Sequence, residues 1–458
     1  MFIIAFFLIG ATLAQQQGDT VGTEDRNRGQ RRLLMISFDG FRWDYLNGRT
    51  ETPNFDRFRK NGVYVTKGLI NEYVSNTLPN HFSLVTGLHV ESHGIVDNFM
   101  YESETDRTFI PKFFDKDSVN HPDWHKTVGE PIWVTNQLQK KTGRSGVVMW
   151  MGGEAAIKGI RPTKHIRLDY AVTDKEKVDS LISWFTDERE PINLGVAYFS
   201  EPDKTAHAYG PDSEEVTQKI QHDDDVVGYL IGELEAKELL STTDIIITSD
   251  HGFVSVSKER LILLDDYIDS SWYRHTSFMP GSIASLLPTE GKEDIIYENL
   301  KAASEEKGSF TVYRKKDIPE RFHYKNHKRV PPIIAVAKSG YSFTDSKSVD
   351  SFWLAGNHGY DNDLPEMHPF FVAMGPSFKN NFELDQFRSV DVYPLMCHIL
   401  NLKPAPNNGS METVSLLLKD YDGGKRTTFV WTFIAVAVMF FLICMFLKNK
   451  SQDKPKAS

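Results

Sequence analysis

Cysteine is almost missing from these 458 residues: Cys397 and Cys444 are the only two. Two thiols cannot build a disulfide-rich scaffold, and a chain this long has core enough to do without one. Excess positive charge is missing too. Asp and Glu outnumber Lys and Arg by 62 to 52, for a formal net charge of −10. No basic face is therefore on offer to a nucleic-acid scaffold, and none is expected as a partner. At 40% hydrophobic and 25% charged residues the balance is ordinary for a globular protein. The length allows two or three average domains, or one large α/β domain with insertions.

Long apolar runs occur only at the two ends. Met1 to Ala14 is apolar up to a small-residue end and is followed by three glutamines, which predicts a signal peptide over 1–14 and a disordered linker over 15–30. No Lys or Arg precedes its apolar core. Phe429 to Leu447 is apolar for long enough to span a bilayer, with Trp431 near its outer edge. The expectation is a transmembrane helix over 427–447 and a basic cytoplasmic tail over 448–458. The protein is then expected in the cell membrane, single-pass and type I, with its catalytic domain extracellular. Asn408-Gly409-Ser410 is a glycosylation sequon on the outer side, within a Pro/Gly-containing stretch, 403–426, that reads as a stalk.

Between the ends, short β-branched runs alternate with amphipathic segments. Leu33 to Phe38, Gly146 to Trp150, Leu194 to Phe199 and Asp244 to Thr248 read as strands buried on both faces. Helices are expected from Pro53, from Pro79 to Gly87, over Lys175 to Phe185 and over Ser213 to Leu239. This alternation predicts an α/β domain over 31–402 with a mainly parallel central sheet and helices on both faces. A small α+β insertion is expected over about 282–337.

Chemistry-bearing residues follow those strands. Asp39 comes directly after the first, Asp203 and His207 follow another, and Asp250 and His251 follow Ile245-Ile246-Ile247-Thr248. In open α/β sheets, ligands bind beyond the carboxyl ends of strands. Gly252 is expected to let the backbone turn away. His358 lies between glycines in a later loop. Asp39, Asp203, His207, Asp250, His251 and His358 are six O/N ligands without a thiolate, a set that suits two Zn2+ ions with three protein ligands each and open positions. Thr77 stands at or near a helix N-cap, where free N–H groups favour an anion, and its hydroxyl is a candidate nucleophile. Asn98 could donate to a phosphoryl oxygen. His81 and His93 read as structural, and His222-Asp223-Asp224-Asp225 as a solvated helix face.

These runs resemble the ectonucleotide pyrophosphatase/phosphodiesterase family of the alkaline-phosphatase superfamily. The matching residues are Ser37-Phe38-Asp39-Gly40-Phe41-Arg42, Thr77-Leu78-Pro79-Asn80-His81, Ser92-His93-Gly94-Ile95, Glu201-Pro202-Asp203 with His207, Ser249-Asp250-His251-Gly252 and Asn357-His358-Gly359-Tyr360-Asp361-Asn362. The short architecture, without cysteine-rich modules, is similar to that of the fourth and fifth members. The resemblance implies an alkaline-phosphatase-like fold in which Asp203, His207 and His358 hold one zinc. Asp39, Asp250 and His251 hold the other, with Thr77 as the metal-bound nucleophile. It further implies that Asn98 donates to the phosphoryl oxygen and that Tyr170 stacks on the base. Two positions depart from the family pattern: Leu78 stands where an aromatic usually closes the base slot, and Asn76 where a lysine often stands. The expected activity is zinc-dependent hydrolysis of extracellular nucleotides, dinucleoside polyphosphates and NAD-like dinucleotides first, to nucleoside 5′-monophosphates through a nucleotidyl-threonine. A choline-phospholipid phosphodiesterase and a catalytically weak surface ligand or receptor are the alternatives.

Overall fold

The computed structural model describes residues 31–421 apart from 103, 105–106, 110–121, 127, 278 and 352. The expected signal peptide, linker, membrane span and tail lie outside the described residues, as does most of the polar stretch after Tyr101. Among the described residues no helix is long and apolar enough to cross a membrane.

Eight strands form the central sheet: β1 (Arg32–Phe38), β2 (Gly62–Val65), β3 (Ser145–Val148), β4 (Lys164–Ile166), β5 (Leu194–Phe199), β6 (Thr243–Thr248), β7 (Phe371–Met374) and β8 (Phe382–Leu384). Their order is β8-β2-β7-β6-β1-β5-β3-β4. Every pairing is parallel except the two made by β7, so the sheet is mainly parallel, as expected, and mixed through one antiparallel strand. Strands β1, β5 and β6 are buried along their length, apart from Arg32, which is why they read as continuous apolar runs rather than alternating ones. Helices α1 (Pro53–Asn61), α3 (Asp174–Phe185) and α5 (Glu214–Ala236) form one packed group. Helix α2 (Thr77–Thr86) and the helix Val392–Ile399 belong to another.

On α5 the apolar stripe Val216, Ile220, Val227, Leu230, Ile231 and Leu234 is buried as its spacing predicts. The acidic run beside it is not the solvated face expected. His222 and Asp225 are exposed, but Asp223 and Asp224 are buried. The Asp224 carboxylate accepts the Asn54 N–H at 3.0 Å and the Phe55 N–H at 2.8 Å. It thus caps α1 from another helix, where Thr52, the residue at the N-cap, makes no side-chain capping bond. Replacing Asp224 with Ala is expected to cost about 2–4 kcal/mol, from two N–H groups left unsatisfied in the interior. A denaturation midpoint equal to that of the wild type would refute this cap.

The insertion is an antiparallel four-stranded sheet with the helix Glu293–Lys307. It starts earlier than expected, at the strand Tyr273–His275, whose three polar or aromatic residues carry no apolar pattern. Residues 403–417 differ from the expected stalk. Val414 and Leu417 are buried, the Ser410 N–H donates to Asp391 at 2.7 Å, and the Asn408 N–H donates to the Gly87 carbonyl at 2.7 Å. Widely spaced apolar residues dock this Pro/Gly-containing stretch onto the domain. The compact unit ends at Leu417.

Candidate active site

Three neighbouring parallel strands build the site. In the order β6-β1-β5 their carboxyl ends lie side by side, and the chain places Asp250, Asp39 and Asp203 just beyond them. The Asp39 N–H donates to the Phe199 carbonyl and the Asp203 N–H to the Asp39 carbonyl, tying two of the loops together. Gly40 makes this approach possible: its φ is +68°, and a Cβ there would lie 2.9 Å from the Cβ of Asp203. Gly252 serves differently from the turn expected of it. Its φ is not positive, but a Cβ would come within 2.1 Å of the Glu366 carbonyl oxygen, so close packing demands it.

Asp203 opens helix α4 (Asp203–Tyr209), which carries His207 one turn later on the same face. His358 arrives from the loop after Gly356–Asn357. Two groups result, Asp203 with His207 and His358, and Asp39 with Asp250 and His251. Within each group the ligand atoms lie within 4.8 Å of one another. The spacing could hold one metal ion in each.

The chemistry of the six side chains agrees with that reading. All three histidines place Nδ1 3.0 Å from a backbone carbonyl: His207 at Gly356, His251 at Gly252 and His358 at Ser75. An imidazole that donates through Nδ1 keeps a lone pair on Nε2. Those Nε2 atoms face carboxylate oxygens: His207 and His358 each lie 3.5 Å from Asp203 Oδ1, and His251 lies 3.1 Å from Asp250 Oδ2 and 3.5 Å from Asp39 Oδ1. The same three oxygens are buried without a hydrogen-bond partner among the described residues. Burial, and then Asp250 and Asp203 nearby, push the Asp39 carboxyl well up. Burial, and then His251 and His207, push His358 well down. Lone pairs converging on one another in a dry site are costly unless a cation lies between them.

Thr77 is the first residue of α2, one position inside the cap expected, with Asn76 at the N-cap. Its Oγ1 lies 3.3 Å from His251 Nε2. Asn98 Oδ1 accepts the Leu78 N–H at 2.8 Å, which leaves its amide NH2 as the side-chain donor. Leu78 is buried. Tyr170 is 45% exposed, with Lys204 Nζ 5.4 Å from its ring centroid. Burial, then Asp39 and Asp203, push its phenol up.

Residues 33–361 match the model of the type I phosphodiesterase/nucleotide pyrophosphatase family. The chain belongs to this family. It is 44% identical over 392 residues to human ectonucleotide pyrophosphatase/phosphodiesterase family member 5, covering 85% of this chain and 78% of the relative. A mouse protein named bis(5′-adenosyl)-triphosphatase enpp4 is 41% identical over 390 residues, covering 85% and 82%. The solved structure of murine ectonucleotide pyrophosphatase/phosphodiesterase 5, an inactive threonine-to-alanine variant in complex with AMP, matches with a TM-score of 0.80 at 42% identity. It covers 85% of this chain and all of that one. The fold is α/β and alkaline-phosphatase-like, and the protein is a phosphodiesterase/nucleotide pyrophosphatase, a hydrolase of phosphate ester and anhydride bonds.

Several contacts around the site were not read from the sequence. Tyr198 donates to Asp39 Oδ2 at 2.5 Å. His81, expected as structural, is buried with Nδ1 2.8 Å from the Thr77 carbonyl and 3.4 Å from Asp250 Oδ2, so its structural role includes orienting the site. Asp97 is buried, and its Oδ1 accepts from Asn76 Nδ2 and from the Asn98 N–H, both at 2.6 Å. Adjacency to Asn98 is the signal that could have found it.

Burial pushes the Asp97 carboxyl up to about 7, against the hydrogen bonds that pull it down. An unfolded Asp ionises near pH ~4. Between those values the unfolded chain gives up a proton that the folded protein keeps. Stability from protonated Asp97 is therefore full below pH ~4 and is lost as the pH rises to ~7. Asp97→Asn cannot ionise, so its stability relative to wild type is expected to be higher at pH 8 than at pH 5. Parallel denaturation midpoints for the two proteins at both pH values would refute this.

Proposed function

We propose that this chain is a two-zinc enzyme of the cell surface that hydrolyses extracellular nucleotides to nucleoside 5′-monophosphates through a nucleotidyl-threonine. Dinucleoside polyphosphates and NAD-like dinucleotides are the proposed substrates. The observation that carries this reading is the pair of triads, whose Nε2 lone pairs converge near the Thr77 hydroxyl with carboxylate oxygens that have no hydrogen-bond partner among the described residues. The names of two relatives support it: one is a bis(5′-adenosyl)-triphosphatase, and the other was solved with AMP as an inactive threonine-to-alanine variant.

Asp203, His207 and His358 would hold one Zn2+, and Asp39, Asp250 and His251 the other, with Thr77 completing the second set. Bound there, the ions would supply Lewis acidity toward the threonine hydroxyl and the phosphoryl oxygens. Thr77 Oγ forms a bond to phosphorus as the P–O bond to the leaving group breaks, and that electron pair departs with the leaving group. The threonine proton passes through solvent to the released phosphate. Water then attacks the same phosphorus and frees Thr77. The Asn98 amide donates to the phosphoryl oxygen, and Tyr170 stacks on the transferred base. Leu78 offers one apolar wall where a second ring would grip harder, a difference of about 1 kcal/mol.

The apolar first 14 residues, the run from Phe429 to Leu447 and the exposed sequon asparagine Asn408 support a type I membrane protein with this domain outside. The deciding experiment offers zinc-loaded full-length protein a mixture of diadenosine triphosphate, NAD and lysophosphatidylcholine, then identifies the products. AMP is expected. Phosphocholine alone would move the enzyme to phospholipids, and no product would leave a surface ligand.

A further inference from the structure

The side chains Thr77, His251, His358 and His207 follow one another in a row across the site. Thr77 Oγ1 lies against His251 at 3.3 Å, the rings of His251 and His358 stack at 3.7 Å, and those of His358 and His207 are 5.0 Å apart. Side-chain exposure climbs along the three histidines from 0% to 7% to 21%. The next ring outward is Trp353, 6.4 Å from His207 and inclined to it by 61°. At 60% exposure it is the most exposed large hydrophobic residue among those described.

Trp353 is not on a loose loop. Two residues on, the Ala355 N–H donates to the His207 carbonyl at 2.8 Å, and the Ala355 carbonyl accepts the Val256 N–H at 2.9 Å. The strand Gly356–Asn357 then pairs with Val254–Ser255. A tryptophan held this way, with much of its surface in water, forgoes a large burial gain. A ligand that covers it recovers that gain.

The geometry of displacement says which ligand. Entering and leaving oxygens sit in line on opposite sides of phosphorus. With Thr77 at the His251 end of this row, a leaving group on the far side of phosphorus departs along it, past His358 and His207 toward Trp353. The transferred nucleoside is assigned above to Tyr170, whose ring centroid lies 5.4 Å from Lys204 Nζ on α4. We propose that Trp353 is the stacking platform for the base of the leaving nucleotide, a second base subsite that favours substrates with a nucleoside at each end of the phosphate chain. This subsite rests on the nucleotide-hydrolase reading above.

The test uses full-length, zinc-loaded protein. In the Thr77→Ala background, diadenosine triphosphate and AMP are titrated separately by calorimetry, with Trp353 intact or changed to Ala or Phe. Trp353→Ala is expected to weaken diadenosine triphosphate about fivefold or more, the scale of one lost base–aromatic stack, and AMP less than about twofold. Trp353→Phe is expected to restore most of the difference. With Thr77 present, Trp353→Ala raises the KM for diadenosine triphosphate by a similar factor. Equal effects on both ligands, or none on either, in a protein that releases AMP from diadenosine triphosphate would overturn the subsite alone. A wild-type protein that releases no AMP would overturn the nucleotide reading and the subsite with it.

Discussion

Replacing Thr77 with alanine is expected to lower turnover of diadenosine triphosphate by about three orders of magnitude or more, the scale of losing an enzyme's nucleophile, while the zinc content stays the same. The reason is positional. Thr77 opens α2, and its Oγ1 is held 3.3 Å from His251 Nε2. Since His251 places Nδ1 on the Gly252 carbonyl, its Nε2 lone pair is left for the metal ion proposed there, and a hydroxyl 3.3 Å away would share that ion, whose charge would ease the loss of its proton. Alanine keeps the helix, being its best former, and leaves the six candidate Asp and His ligands untouched. Serine, which keeps the hydroxyl, should retain measurable turnover. Metal analysis beside single-turnover kinetics separates the outcomes. An alanine variant with appreciable turnover would sink the covalent route, and one that loses zinc would show that Thr77 acts mainly on the metal site.

What the sequence made legible follows from how locally each feature is encoded. Strands β1, β5 and β6 announce themselves because burial on both faces forces unbroken apolar runs, and each carboxylate sits within a few residues of a strand end. His207 is readable because one helical turn separates it from Asp203. Features set by distant pairing were hidden. The cap that Asp224 places on α1 spans 170 residues, so its run of acids looks like any wet helix face. Tyr198 reaches Asp39 because β1 and β5 pair with Tyr198 opposite Ser37, a register that neither strand states alone. Gly252 needed the Glu366 carbonyl in place before its reason appeared, and residues 403–417 needed the surface they dock onto.

Removing zinc is expected to lower both activity and stability, and the second loss distinguishes a loaded site from an idle one. Without cations, Asp39 Oδ1, Asp203 Oδ1 and Asp250 Oδ2 stay buried with no hydrogen-bond partner among the described residues. Like charges gather there too: Asp250 and Asp203 both raise the Asp39 carboxyl, after burial itself. A cation that binds only the folded protein stabilises it by about 4 kcal/mol at a thousand times its Kd. For a folded domain of this length that corresponds to a rise of about 5 °C in Tm per ion. Chelator-treated protein should therefore melt several degrees lower than the zinc-loaded form, with activity lost in parallel and both restored on adding zinc back. Changing Asp203 to Asn should remove about half of that shift, since it empties one triad and leaves Asp39, Asp250 and His251 whole. If Tm is the same with and without zinc, the converging lone pairs are satisfied in some other way, and the two-metal site falls.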